Sequence, residues 1–142
     1  MKHYLHTSVV VARFLEGFDG LSDLEGEQEV ASSVLLRTEF SRVIHRGLQT
    51  NRLDVSEATR VRHGFERLVA GVGRILLAPQ VLRRAEGPYP VVVRTLDALH
   101  LASAELWAGS DPLSSVAVWS LDDRMNHCAA QLGFQTPLLE LA

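Results

Sequence analysis

Three times along this chain a short apolar run passes directly into a helix start, and that alternation leaves few folds open. Tyr4 and Leu5 lead through His6-Thr7-Ser8 into a helix read from Val9 to about Glu16, with Ser8 as its cap and Gly17 and Gly20 behind it. Glu29 to Ser33 reads as a second strand, with Ser33 capping a helix from Val34 to about Arg46 that Gly47 closes. Val116 to Ser120 reads as a buried strand running into Asp122 and Asp123, which begin a helix ending near Leu132-Gly133. Between these units, a helix over about Ser56 to Ala70 is broken by Gly71-Val72-Gly73-Arg74. A short element follows around Ile75 to Ala78, and Pro79, Pro88 and Pro90 punctuate the stretch beyond it. Thr95 caps a helix from Leu96 to Ala108 that is apolar nearly all the way round, and a helix of that kind is buried. A last short strand is expected around Leu138-Leu139. Strands alternating with helices predict an α/β fold in which a mainly parallel sheet is covered on both faces.

With 142 residues, 46% of them hydrophobic, the chain reads as a single domain over 1–142. A domain of this size buries roughly 70% of its unfolded surface, so neither a structural metal nor a disulfide is required. Cys128 is the only cysteine and reads as a buried helical thiol. No apolar stretch approaches the roughly 20 residues of a membrane span, and Val9-Val10-Val11-Ala12 is cut short by Arg13, so no membrane segment and no signal peptide are expected. A reducing cytoplasm fits that composition. The net charge of −3 hides a strong asymmetry. Residues 1–41 carry 3 basic and 7 acidic side chains, residues 42–84 carry 9 and 3, and residues 85–142 carry 2 and 7. Thirteen of the fourteen cations are arginine, whose planar fork suits phosphate oxygens. In the basic third, Arg42, Arg46, Arg52, Arg60, Arg62 and Arg67 are candidates to contact nucleic-acid phosphates or an acidic partner segment. A solvated, salt-bridged helical face is the alternative.

In open parallel sheets the functional crevice lies beyond the carboxyl ends of the strands. His6 and Asp122 each end a strand and begin a helix, Asp97 opens a helix that otherwise buries its surface, and Glu39 lies early in a helix that follows a strand. Taken singly, each acid has a plain explanation: Asp97 as favourable charge at a helix start, Asp122 as a cap, and Glu39 as a surface acid near Arg42 at i+3. Taken together, oxygen ligands from separate elements at one sheet edge suit a hard divalent cation such as Mg²⁺. His3 and His6 point to opposite faces of a strand and form no shared metal pair. His100 shares a helix face with Asp97 and reads as a satisfied core histidine, with a hydrogen bond to Asp97 as the alternative. No Walker A, Gly-x-Ser-x-Gly, His-Glu-x-x-His or complete dinucleotide fingerprint is present.

Four segments resemble the PIN-domain ribonucleases, and within them the VapC toxins of bacterial toxin–antitoxin pairs. They are Tyr4 to Val11, Ala31 to Glu39, Thr95 to Ala104, and Trp119 to Asp122, in the family's order and across almost the whole chain. The third is fairly specific, and the others gain weight together. The resemblance implies a three-layer α/β/α sandwich and an endoribonuclease that depends on Mg²⁺ or Mn²⁺. It also implies a VapB-like antitoxin and a homodimer. Glu39, Asp97 and Asp122 fall on three of the family's four acidic positions, as catalytic residues and metal ligands. The fourth departs: His6 stands where the family has an Asp. Its neighbours still resemble the family's run, which favours an altered coding sequence over a natural variant. Imidazole is a poor ligand for hard Mg²⁺ and a better one for Zn²⁺. A loss of at least about 10–100-fold in Mg²⁺ affinity is expected, and with it low activity. A PIN-like module that binds RNA or protein without catalysis is the alternative.

Overall fold

Side-chain alternation along two short strands divides the interior into two cores. In the computed structural model, which describes residues 1–141, four strands form one parallel sheet in the order β3-β2-β1-β4. These are β1 (Lys2–Leu5), β2 (Val30–Ser33), β3 (Gly73–Ile75) and β4 (Val116–Trp119). Tyr4 lies opposite Val118 and Leu5 opposite Trp119, so successive side chains leave the sheet on opposite faces. Tyr4, Val116 and Val118 pack with Leu101 and Ala104 of α5 (Thr95–Ala108) and with Met125 and Cys128 of α6 (Asp123–Leu132). Leu5, Ala117 and Trp119 pack with helices on the other face: α1 (Thr7–Leu15), α2 (Leu35–Gln49) and α3 (Val55–Val69). The architecture is the α/β/α sandwich with a parallel sheet that the alternation predicts.

The strand order also places the crevice. From β1 the chain moves outward to β2 and β3, then returns across the sheet to β4 on the other side of β1. The connections therefore diverge at the β1–β4 pair, where an open α/β sheet leaves a gap beyond its carboxyl ends. His6 follows β1 there, and Ser120 to Asp122 follow β4.

Several boundaries differ from the sequence expectation, each for a local reason. Ser8 does not cap α1, which begins at Thr7; its hydroxyl instead accepts the Leu121 N–H at 2.9 Å, tying α1 to the end of β4. Gly47 does not close α2, which continues to Gln49. Gly47 is instead the point where the following loop folds back. Its carbonyl accepts the N–H of Arg52 and Leu53, and a Cβ there would lie 2.7 Å from Leu53 Cδ1. The glycine run read as a break contains β3, whose Gly73 pairs with Ala31, so the strand starts before the short element expected at Ile75 to Ala78. Pro79 opens an unanticipated helix, α4 (Pro79–Ala85), at the first helical position where its missing N–H is no loss. Thr95 is the first residue of α5 and Arg94 takes the cap position. No strand forms at Leu138-Leu139. A 3-10 turn covers Leu139–Leu141, and the sheet-like pairing occurs earlier as a single bridge between Ala117 and Gln135. Among the described residues, no helix is long and apolar enough to cross a membrane.

Candidate functional site: a carboxylate cleft at the sheet rim

The fold brings Glu39, Asp97, Asp122 and His6 to the walls of one cavity of about 1060 Å³. Each arrives by a different element: His6 between β1 and α1, Glu39 in the second turn of α2, Asp97 in the first turn of α5, and Asp122 at the cap of α6. The convergence expected from sequence is present. What the side chains do inside the cleft is less simple.

Glu39 turns inward rather than toward Arg42. Its Oε1 accepts the Thr7 hydroxyl at 2.9 Å and His100 Nε2 at 2.6 Å. Burial alone would raise the Glu39 carboxyl, but the hydrogen bonds from His100 and Thr7 outweigh it and hold the group below its usual range. His100 is fully buried, and burial lowers its pKa, which keeps the imidazole neutral. The Tyr4 hydroxyl, whose pKa burial raises, meets the other ring nitrogen, Nδ1, at 2.7 Å. One tautomer satisfies every group: Tyr4 O–H donates to Nδ1 and Nε2–H donates to Glu39. His100 is thus the satisfied core histidine foreseen, with Glu39 rather than Asp97 as its carboxylate partner.

Asp97 belongs to a second pair. His6 Nε2 lies 2.9 Å from Asp97 Oδ1, while His6 Nδ1 meets the hydroxyls of Ser8 at 2.8 Å and Ser120 at 3.1 Å. Burial pushes Asp97 up, and the His6 hydrogen bond and charge, with smaller contributions from His100 and Arg94, bring it below its usual range. The carboxylate can only accept, so Nε2 carries the proton between them. The two imidazoles lie edge to face, ring centroids 4.9 Å apart. Asp122 caps α6, its Oδ1 accepting Met125 N–H at 2.8 Å, and its own N–H donates to Ser120 Oγ at 2.9 Å.

These contacts test the cleft against a divalent cation. Mg²⁺ needs several free oxygens in near-octahedral array, usually one or two carboxylates with water. Here Glu39 and Asp97 each face an imidazole N–H, and Asp122 is held by a helix end. Among the described residues no three His, Cys, Asp or Glu side chains gather into a group able to hold a metal ion. As arranged, the side chains do not fit Mg²⁺ or Mn²⁺: His6 meets Asp97 Oδ1 and His100 meets Glu39 Oε1.

The arginines named from sequence do not reach the cleft walls. Arg42 and Arg46 are exposed and follow Glu39 by three and seven residues, so they continue its flank of α2 away from the cavity. Arg60 and Arg67 line a separate shallow groove on α3 with His63, and Arg62 lies on the opposite flank of that helix. Arg52 is exposed in the loop after α2. They are solvated, as the alternative has it, but not salt-bridged: among the described residues the arginine–carboxylate pairs are Arg37–Glu66 and Arg84–Glu105. The cleft's own arginines are Arg94 and Arg124, which the sequence reading passed over. A signal was there, since they are the only two cations in residues 85–142 and stand three and two residues from Asp97 and Asp122. Thr7 was missed as well, as a donor to Glu39. No family model matches the chain, and no curated protein matches it.

Proposed function

We propose that this chain is a PIN-like domain of the VapC kind, an endoribonuclease-type toxin paired with a VapB-like antitoxin in the cytoplasm, and that its His6 form is strongly impaired in cleavage with Mg²⁺ or Mn²⁺. The observation that carries the reading is the meeting of Glu39, Asp97 and Asp122 in one cleft at the carboxyl ends of a parallel sheet. These are the three acids that the sequence resemblance singles out. The His6–Asp97 contact accounts for the impairment, since the residue at the first-strand position donates a hydrogen bond where an Asp would supply an oxygen ligand. The same contact favours a second reading, a non-catalytic module that binds RNA or protein through the cleft.

Cleavage of total RNA separates the two. The chain and its His6→Asp variant are incubated with Mg²⁺, with Mn²⁺ and with EDTA. Rapid, EDTA-sensitive cleavage by His6→Asp and slow cleavage by the His6 chain support the toxin-type nuclease. No cleavage by either protein, with RNA still bound, moves the conclusion to the binding module. Equal Mg²⁺-dependent rates for both proteins would show that His6 impairs nothing.

A further inference from the structure

We infer that Arg94 and Arg124 form a phosphate clamp across the mouth of the cleft, holding the backbone of a nucleic acid by fixed guanidinium charge without a bridging divalent cation. The inference rests on the RNA-directed reading above and adds the groups that would do the holding.

Both residues line the cavity, and they belong to different helices: Arg94 at the cap position of α5 and Arg124 as the second residue of α6. Both residues are exposed, and among the described residues neither has a carboxylate within 4.0 Å. The acids around them are otherwise engaged. Glu39 is held by His100 and Thr7, Asp97 by His6, Asp122 by the α6 backbone, and Asp123 by His127 at 3.2 Å. Of the cleft carboxylates only Glu16, exposed at the rim, is without such a partner.

The result is an inversion of the usual division of labour in an acidic cleft. Carboxylates left bare would repel a phosphodiester until a divalent cation bridged the two. Here imidazole N–H groups hydrogen-bond the inner carboxylates Asp97 and Glu39, and two exposed arginines without a carboxylate partner line the same cavity, their guanidinium forks suited to phosphate oxygens. Arginine, unlike the carboxylates, requires no change of protonation or added ion to act. A cavity of about 1060 Å³ is large enough for a nucleotide and its flanking phosphate.

The test measures binding of a labelled short single-stranded RNA in EDTA, over a series of salt concentrations, to the native chain and to Arg94→Gln, Arg124→Gln and the double variant. Arg83→Gln on α4, away from the cleft, is the control, and circular dichroism checks that every variant is folded. Inorganic pyrophosphate is titrated in parallel, read by thermal shift. Each cleft substitution is expected to weaken RNA binding about tenfold and to lower the salt slope by about one, while Arg83→Gln does neither. If RNA binds and the double variant matches the native chain, the clamp is wrong and the RNA-directed reading stands. If pyrophosphate binds through Arg94 and Arg124 but RNA does not bind, the clamp stands and the RNA-directed reading falls. RNA binding that EDTA abolishes and Mg²⁺ restores would also overturn the clamp, as would the absence of any binding by either probe.

Discussion

Replacing His6 by Asp should convert a cleft whose Asp97 is hydrogen-bonded from within into one that needs a cation to be stable. With His6 in place, its Nε2 donates to Asp97 at 2.9 Å, and the Asp97 side chain is only 18% exposed. Substitution removes that bond and brings a further carboxylate toward Asp97. A hydrogen bond to a charged group contributes about 1.5–3 kcal/mol, so the loss should fall in that range before any like-charge repulsion is added. The unfolding entropy of a 142-residue chain is about 0.3 kcal/mol per kelvin, from about 2.1 cal/mol/K per residue, so Tm should drop by about 5–10 °C in EDTA. A divalent cation at about 100 times its Kd returns about 2.7 kcal/mol, close to the whole deficit. The assay is thermal unfolding of both proteins in EDTA and across a Mn²⁺ series. The native chain should shift by less than about 1 °C at Mn²⁺ concentrations that restore the variant, a contrast scored by the same linkage. Equal stability of the two proteins in EDTA, or the same Mn²⁺ response from both, would refute the idea that His6 takes the cation's role.

Two further outcomes follow from the groups behind the cleft. Tyr4→Phe keeps the buried ring but leaves His100 Nδ1 without its donor, which should cost about 1–3 kcal/mol in urea unfolding; the cost should vanish in a His100→Leu background, and an equal cost in both would show that the hydroxyl acts elsewhere. Stability should also fall on acidification in two stages. The folded pKa of His100 is lowered, so its contribution is complete above about pH 6.5 and is lost as the pH falls toward the folded value, where the unfolded chain binds the extra proton. Glu39 and Asp97 are lowered too, so their contributions are present above the ordinary carboxylate range and are lost only below it. Urea midpoints from pH 8 to pH 3 should therefore decline first from about pH 6.5, and His100→Gln should remove that first decline; its persistence in the variant would assign it to another histidine.

Short apolar runs feeding helix starts settled the layers of this molecule, because a strand with both faces buried and helices on either side admit few arrangements besides a parallel sandwich. The same local signals brought His6 and Asp122 to one rim, since residues that end strands of one parallel sheet must emerge at one edge, and Glu39 and Asp97 line the same cavity from the starts of α2 and α5. Local signals failed where a contact outside the element decided the outcome. Ser8 looks like a cap until the Leu121 N–H claims it, and Gly47 looks like a helix end until Leu53 folds over it. Gly73 and Pro79 read as breaks, although an edge strand tolerates one and a first helical turn accepts the other. The chemistry of the cleft lay furthest from the sequence. That Glu39 would take His100 and Asp97 would take His6, 61 and 91 residues away, depends on packing that sets which imidazole meets which acid. Residue order names the charged groups and the edge where they gather, whereas only the folded chain decides which carboxylates the imidazoles hydrogen-bond and which arginines stand without a carboxylate partner.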